Sequence, residues 1–266
     1  MASTEQLKRE YQDQARAYDK YFTQVPIGAL ETELFDSALG TCPGAAVLDL
    51  GGGTGLRARQ AVRAGASAVD VVDISPAMLE LGQAAEAQLS REGVIRYLHG
   101  DVTQGLGALG LRAGAGGGYD MVMANWVMDH AHTPAELEAM WGNVAAHLKP
   151  GGRFVGVRSE DPRARSVAEG TDGAAKYGVV YKDLTDVPGG VHYRFRAQTD
   201  PPIEIEVSSM TASYSGSTEM HEKYGLCDVE VEPYENAEMV RKDPAFWEAF
   251  LESPSFAVVK ARKRVS

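Results

Sequence analysis

Three aspartates of this 266-residue chain occupy equivalent positions beside short apolar segments. Asp49 lies inside the segment that precedes a glycine-rich turn, and Asp73 and Asp101 follow the next two segments. The carboxyl ends of parallel strands meet at one edge of a sheet, so the three side chains are expected near one another. Their charge would repel phosphate groups but suits a sulfonium or an ammonium group. With no compensating Lys or Arg among them, they predict a site for a cationic nucleoside without phosphates.

The glycines after Asp49 narrow the choice of nucleoside. Gly51, Gly53 and Gly55 do not have the G-x-G-x-x-G spacing of a dinucleotide site, because position 56 is Leu56. No Lys-Ser or Lys-Thr pair follows them, as a phosphate-binding loop would require. An acidic side chain placed like Asp73 accepts hydrogen bonds from ribose hydroxyls. The nucleoside that meets these conditions is S-adenosylmethionine.

Apolar periodicity predicts the elements that would position these residues. Five short apolar runs predict strands, at residues 46–50, 68–72, 94–98, 119–124 and 153–157. Three amphipathic stretches predict helices between them, at residues 56–64, 76–91 and 133–148. This alternation predicts a parallel sheet with helices on both faces. The Gly- and Ala-rich residues 105–118 are expected to form a surface loop.

The remaining segments flank or follow this unit. Two helices are predicted before it, over residues 4–22 and 27–39. After residue 158 the pattern becomes one of alternating strands, which predicts an antiparallel insertion. The predicted elements of this region and of the end of the chain are strands at 179–183, 192–196, 203–207, 227–231 and 257–263, and a helix at 217–224.

Composition excludes several classes of partner. The formal net charge is −11 and no stripe of Lys or Arg is present, which argues against nucleic acid and anionic membrane surfaces. No apolar run is long enough to span a bilayer, and residues 1–25 lack the apolar core of a signal peptide. Cys42 and Cys227 form no metal-spaced pair. We therefore expect a cytoplasmic protein with free thiols, no metal ion and either a monomeric or a homodimeric state.

Five segments in register resemble the class I S-adenosylmethionine-dependent methyltransferases, particularly the small-molecule group that includes the quinone-biosynthesis C-methyltransferases. These segments are residues 47–55, 71–79, 100–102, 119–130 and 147–154. The end of the chain, at residues 224–229 and 256–263, is similar to the closing antiparallel strands of that family. The loop at 105–118 is longer than the family pattern, and residues 159–212 do not align with it.

The resemblance implies an α/β fold, with a Rossmann-like seven-stranded, mostly parallel sheet and helices on both faces. Tyr11 and Tyr18 would lie on an N-terminal helical lid that closes over the cofactor, although ordinary core packing would explain them equally. The expected parts are the lid at 1–40, the cofactor-binding core at 41–158, an antiparallel cap insertion at 159–212, and a closing helix and strands at 213–266.

The resemblance also assigns contacts to the polar part of S-adenosylmethionine. Asp49, Gly51 and Gly53 would hold the methionine portion, and Asp73 would hold the ribose. Asn125, at the end of the fourth strand, would face the methionine portion or the methyl acceptor.

The adenine would be held by residues after the second and third strands. The resemblance places Asp101 and Val102 at its amino edge, and Ile74 and Met78 against its ring. Asp101 has the alternative of being an ordinary surface turn residue.

The acceptor would meet the residues that follow the fourth strand. His130 is the candidate catalytic base, needed only if the acceptor carries a proton that must leave. Asp129 would orient the His130 ring or point away, and His132 is expected to face solvent. Trp126 would form an aromatic wall. The alternatives are a His130 that bonds to the backbone and a Trp126 that belongs to the core.

Residues 159–212 would lie above the carboxyl ends of the strands, where ligands bind in open α/β sheets. Tyr177, Tyr181, Tyr193 and Arg194 in this segment are candidates for binding the substrate. The alternative is that they cover the exposed faces of a small antiparallel sheet.

The predicted function is methyl transfer from S-adenosylmethionine to a small organic molecule through in-line displacement, at an O, N, S or C atom. Two alternatives stay open. One is an enzyme that binds S-adenosylmethionine without methylating, such as a cyclase, and the other is a catalytically silent regulatory subunit.

Overall fold

The computed structural model describes residues 9, 18, 21–91, 93–112 and 117–265. Its strands are β1 (Ala46–Leu50), β2 (Ala68–Asp73), β3 (Ile95–His99), β4 (Tyr119–Asn125), β5 (Leu148–Ser159), β6 (Val179–Val187), β7 (Gly190–Ala197), β8 (Ile203–Met210), β9 (Leu226–Val231) and β10 (Phe256–Lys263). Its described helices include α1 (Pro26–Leu39), α2 (Leu56–Arg63), α3 (Pro76–Gln88), α4 (Pro134–His147), α5 (Asp172–Tyr177), α6 (Glu219–Lys223), α7 (Glu238–Lys242) and α8 (Pro244–Glu252). Residues 21–24 are also helical.

The main sheet has seven strands in the order β3-β2-β1-β4-β5-β10-β9. Strands β1 to β5 are parallel, and β10 runs antiparallel to both of its neighbours. The sequence order reverses at β1, so the crevice at the carboxyl ends of β1 and β4 is where a ligand is expected to bind. The Rossmann-like, mostly parallel fold predicted from the sequence is confirmed.

Two apolar clusters cover the faces of this sheet, because side chains alternate along each strand. Val47 belongs to the cluster that contains Leu34 of α1 and Phe250 of α8. Leu48 belongs to the other cluster, with Val144 of α4. Helices therefore shield both faces, and the strands are buried.

A second sheet joins β6, β7 and β8 in antiparallel order. Its inner face carries Tyr181, Tyr193 and Ile205, which belong to the same apolar cluster as Val157 of β5. We call this sheet the cap sheet. Its strands confirm the predicted antiparallel insertion, while the part boundaries at residues 40, 158 and 212 stay predictions.

The structure differs from the predicted elements in the start of β5 and in three helices. Strand β5 begins at Leu148, since that residue pairs with Tyr119 before the register of the two strands shifts. Helices α5, α7 and α8 were not predicted, although Pro244 stands at the start of α8 and the Asp243 carboxylate accepts a hydrogen bond from Phe246 N. The predicted helix at residues 4–22 lies mostly outside the described residues.

Candidate active site

The turn between β1 and α2 leaves no room for side chains at its first two residues, Gly51 and Gly52. Gly51 has a φ of +65°, and a Cβ there would lie 2.5 Å from Val127 Cγ2. A Cβ on Gly52 would lie 2.6 Å from Asp49 Oδ2. A ligand can therefore approach the backbone of this turn closely.

Asp73, at the end of β2, ties this turn to the neighbouring strand. Its Oδ2 accepts a hydrogen bond from Gly53 N at 2.8 Å, and its Oδ1 accepts one from Ser75 N at 2.8 Å. Burial raises its pKa, although these backbone donors oppose the rise. Each carboxylate oxygen has a second lone pair, so Asp73 can still accept hydrogen bonds from hydroxyl groups in the cavity.

A cavity of about 1040 Å³, its open mouth included, lies at the carboxyl ends of the parallel strands. We call it the first cavity. Most of the predicted cofactor residues line it together, and this set is Tyr18, Gly51, Gly53, Asp73, Ile74, Met78, Asp101, Val102 and Asn125. The Asp101 carboxylate also accepts hydrogen bonds from the amide and hydroxyl of Thr103, at 2.9 and 2.7 Å. Tyr11 lies outside the described residues.

Asp49 is placed differently from the other predicted cofactor residues. It is fully buried and does not line the first cavity, because its carboxylate lies against Gly52 behind the turn. Neither oxygen makes a hydrogen bond of normal geometry to a described residue. Burial raises its pKa to about 7, and the nearby Arg57 offsets only part of this rise. The expectation of direct contact with the methionine portion is therefore corrected to an influence from behind the turn.

Among the described lining residues of the first cavity, the permanently charged cation is Arg57, and it is already paired. Arg57 lines the cavity and donates to Glu31, and its guanidinium lies over the rings of Phe22 and Phe35, at 4.8 and 4.7 Å. The other Glu31 oxygen accepts from Trp126 Nε1 at 2.9 Å. With Arg57 engaged and Asp73 and Asp101 in the lining, the residues fit a ligand that is cationic rather than phosphorylated.

A second cavity, of about 500 Å³, lies between the cap sheet and the first cavity. Its walls are aromatic and aliphatic, with Tyr181, Tyr193 and Phe195 among them. The residues that line both cavities are Tyr18, Trp126 and His130. The two spaces therefore meet at the segment that follows β4.

Backbone geometry at the end of β4 puts Trp126 between the cavities. Trp126 has a φ of +62°, a left-handed conformation that costs energy for a residue with a Cβ and that often marks functional sites. Its amide donates to Val157 O at 2.7 Å, and its indole is held by Glu31. These contacts fix the tryptophan at the boundary.

The histidines near this boundary are shielded from solvent. Burial lowers the pKa of His130 to about 4, so its imidazole is neutral at physiological pH. His132 also lines the first cavity, with its Nδ1 3.2 Å from Ser208 Oγ. The expectation that His132 faces solvent is therefore wrong, because the cap sheet packs against it.

Two predicted substrate residues lie away from both cavities. Tyr177 is fully buried, where its ring stacks on Trp247 at a centroid distance of 5.2 Å. Arg194 pairs with Asp183 at 3.2 Å on the outer face of the cap sheet. The alternation along β7 explains this placement, since it turns Tyr193 inwards and Arg194 outwards. Tyr181 and Tyr193 line the second cavity, and Tyr177 and Arg194 are removed from the candidate set.

Replacement of Tyr177 by phenylalanine tests this correction. The Tyr177 hydroxyl donates to Phe246 O at 2.9 Å and accepts from Phe250 N at 3.1 Å. We expect Tyr177→Phe to lower the free energy of unfolding by about 1–3 kcal/mol, because two buried backbone groups lose their partner. Urea denaturation measures this loss, and calorimetry should show unchanged affinity for S-adenosylhomocysteine. A selective loss of ligand binding would return Tyr177 to the site.

Sequence reasoning missed the pair Glu31 and Arg57. A signal exists in α1, where Glu31 stands on the same helical face as the buried Ile27, Leu30 and Leu34. A carboxylate on an apolar face requires a partner when it is buried. The identity of that partner depends on packing between α1 and α2, which the sequence does not display.

Comparison with known proteins agrees with this geometry. Residues 47–152 match the family described as a methyltransferase domain. The chain is similar to an S-adenosylmethionine-dependent methyltransferase from Mesorhizobium loti, with a TM-score of 0.58 and 21% identity over 89% of this chain and 99% of that one. It is similar to the CcbJ methyltransferase from Streptomyces caelestis, with a TM-score of 0.62 and 19% identity over 94% and 96% of the two chains.

The same fold also occurs in a protein with another named activity. The cyclase SpnF is similar over 99% of this chain and 98% of that one, with a TM-score of 0.61 and 13% identity. No curated protein matches the chain in sequence. Within the described part of the chain, the helices are all too short or too polar to cross a bilayer.

Proposed function

We propose that the chain is a class I S-adenosylmethionine-dependent methyltransferase, as the methyltransferase-domain match over residues 47–152 supports, and that it methylates a small, mostly apolar organic molecule. The methyl acceptor would occupy the second cavity while the cofactor occupies the first. In-line displacement requires the two reactants to be held close and shielded from water. The observation that carries the proposal is that the two cavities meet at Trp126 and His130.

The proposal gives the lining residues of the first cavity separate tasks. Gly51, Gly53 and Asn125 would hold the methionine portion, and Asp73 would accept hydrogen bonds from the ribose. The remaining residues proposed to hold the adenine are Ile74, Met78, Asp101 and Val102, with Tyr18 covering the cavity. The bound cofactor supplies an electrophilic methyl group on a positively charged sulfur.

The lining of the second cavity favours a neutral acceptor. Among its described lining residues none is Lys or Arg, whereas Tyr181, Phe195 and Ile205 present apolar surface. An anionic acceptor would lose its hydration there without gaining a cation. Trp126, Tyr181 and Tyr193 are proposed to form the walls against which a planar molecule packs.

His130 is proposed to contact the acceptor at the point of transfer. Its imidazole is neutral at physiological pH because burial lowers its pKa to about 4. A neutral imidazole carries one N–H donor and one acceptor nitrogen, so it can orient the attacking atom through a hydrogen bond. It also avoids a second positive charge beside the sulfonium.

Replacement of His130 by asparagine separates this role from cofactor binding. We expect His130→Asn to lower the turnover number by roughly 100-fold, since a shift of about 1 Å in the position of a reactant can cost that much. Its affinity for S-adenosylhomocysteine should change by less than about threefold, a difference well below the loss of one hydrogen bond to a charged group. An unchanged turnover number would remove His130 from the reaction.

Transfer of tritiated methyl groups to a panel of phenols, amines and thiols tests the function itself. The expected result is radioactivity in an organic product, together with formation of S-adenosylhomocysteine. A protein that binds the cofactor tightly but labels no acceptor would contradict the proposal. A substrate that is rearranged without a gain in mass would favour the cyclase alternative, for which the fold of SpnF gives a precedent.

A further inference from the structure

A buried chain of polar groups leads from the second cavity into the protein. Tyr193 Oη lies 3.1 Å from Ser209 Oγ, and Ser209 Oγ lies 2.6 Å from Asp129 Oδ1. The other carboxylate oxygen of Asp129 accepts from Ser159 N at 3.2 Å. Tyr193, Ser209 and Asp129 are each at most 1% exposed, and Tyr193 and Asp129 line the cavity.

The Asp129 carboxylate, at the inner end of this row of polar groups, fixes the direction of each hydrogen bond in it. An ionised carboxylate only accepts, so Ser209 must give its single proton to Asp129. Ser209 then has only lone pairs to offer, and Tyr193 must donate to it. The Tyr193 oxygen is thereby left able to accept a proton from a molecule in the second cavity.

We propose that Tyr193, Ser209 and Asp129 form a relay that removes the proton of a hydroxyl-bearing acceptor, so that the acceptor is a phenol or an enol. The inference rests on the proposed function and names its acceptor class. The acceptor hydroxyl donates to Tyr193, and Asp129 is the final proton acceptor. Tyr193 is the residue that touches the acceptor, and Ser209 acts through it.

The proposed step balances in atoms and charge. The acceptor O–H bond breaks and its proton passes to Tyr193 Oη, while the Tyr193 proton moves to Ser209 and the Ser209 proton to Asp129. The acceptor oxygen forms its bond to the methyl carbon as the carbon–sulfur bond breaks, with the electron pair leaving on sulfur. The positive sulfonium and the negative carboxylate both become neutral, so no net charge is created in the buried site.

The surroundings of Asp129 suit this role better than those of His130. Burial raises the pKa of Asp129 to about 6, with Ser209, Ser159 and Arg158 opposing the rise, so the group is ionised at neutral pH yet close to its titration range. Protonation of His130 would place a cation beside the sulfonium, whereas protonation of Asp129 removes an anion. The aromatic ring of Tyr181 packs beside Tyr193, with the two ring centroids 4.6 Å apart.

Methylation of two phenols of different acidity by the Ser209→Ala variant tests the relay. The weakly acidic 4-methylphenol needs its proton removed, so its turnover should fall by about 100-fold or more. The more acidic 4-nitrophenol gives up its proton more readily once it is bound, so its turnover should fall by no more than about threefold. Equal losses for both phenols would mean a structural role for Ser209 and would overturn the relay.

Ser166→Ala is the matched control for loss of a buried serine. Ser166 is 1% exposed and its hydroxyl donates to Ser253 O at 2.6 Å, outside both cavities. Both serine variants should lose stability, and Ser209→Ala the more, because Ser166→Ala removes one buried hydrogen bond and Ser209→Ala removes two. Only Ser209→Ala should distinguish the two phenols.

A binding measurement gives a readout that does not depend on turnover. In the presence of S-adenosylhomocysteine, calorimetry should show that 4-methylphenol binds roughly five- to tenfold more tightly than 4-methylanisole, which has no proton to donate. Tyr193→Phe should abolish this preference and leave the affinity for 4-methylanisole unchanged. A preference retained by Tyr193→Phe would overturn the relay.

The two proposals fail in different ways. If S-adenosylhomocysteine binds but neither phenol binds or accepts a methyl group, the hydroxyl assignment is wrong and methylation of amines or thiols still stands. If amines, thiols and phenols all remain unlabelled while the cofactor binds, both the relay and the proposed function are wrong.

Discussion

Asp73→Ala is expected to weaken the binding of S-adenosylhomocysteine by about 100-fold, because two hydrogen bonds to a charged carboxylate together contribute about 3 kcal/mol. The carboxylate lies at the end of β2 and lines the first cavity. It also accepts a hydrogen bond from Gly53 N, so its removal should loosen the turn that we propose receives the methionine portion. Isothermal titration calorimetry measures the loss directly.

Asp120→Ala provides the matched control for this variant. Asp120 also accepts a hydrogen bond from a backbone amide, that of Ala46 at 2.9 Å, and it pairs with Lys149. Ala46 begins β1, so this aspartate lies at the opposite edge of the sheet from the cavity. We expect Asp120→Ala to leave the affinity unchanged. If both variants bind equally, or if Asp73→Ala binds like the wild type, Asp73 does not hold the ribose.

The parts of the site that follow strand ends were open to prediction from the sequence. Buried parallel strands are short apolar runs, and their carboxyl ends must meet at one edge. Asp73, Asp101 and Asn125 stand directly after such runs, and they line one cavity. Gly51 and Gly53 identify the turn because both have a positive φ, of +65° and +54°, and because a Cβ on Gly51 would clash with Val127.

The parts that depend on packing between distant segments were not open to prediction. Asp49 belongs to the same motif as Gly51, yet it points behind the turn, and no pattern in the sequence distinguishes the two directions. Tyr177 and Tyr193 look alike as aromatic residues of the cap, but only the fold shows that Tyr177 stacks on Trp247 of α8. The pairing of Ser209 with Asp129 joins residues 80 positions apart.

Asp49→Asn is expected to stabilise the protein at pH 8 by as much as about 4 kcal/mol, from 1.36 kcal/mol per pKa unit. Burial raises the pKa of Asp49 from 3.8 to about 7, so the folded state binds a proton that the unfolded state releases. The destabilisation of the folded protein by the ionised carboxylate is fully present above about pH 7. It declines as the pH falls towards 4, below which the carboxyl is protonated in both the folded and the unfolded state, and the benefit of asparagine should vanish there.

Asp70→Asn is the control with the opposite sign. Asp70 is equally buried on the neighbouring strand β2, but hydrogen bonds from Arg96, Tyr119 and Arg112 outweigh the effect of burial and lower its pKa to about 2. Its contribution to stability is present above about pH 4 and is lost as the pH falls towards 2. Urea denaturation at pH 8 and pH 5 should show a higher free energy of unfolding for Asp49→Asn than for the wild type. For Asp70→Asn, the free energy of unfolding should be lower than that of the wild type by about 2 kcal/mol.

The ionised Asp49 destabilises the free protein, and we expect it to stabilise the complex with a cationic ligand. A buried carboxylate behind the turn lowers the energy of a cation in the first cavity, since the attraction is large at the dielectric constant of a protein interior. Asp49→Asn should therefore reduce the preference for S-adenosylmethionine over the neutral S-adenosylhomocysteine, by roughly tenfold at an effective dielectric constant near 20. Calorimetry with the two ligands measures this preference. A variant that gains stability and keeps the preference would show that Asp49 does not sense the charge on sulfur.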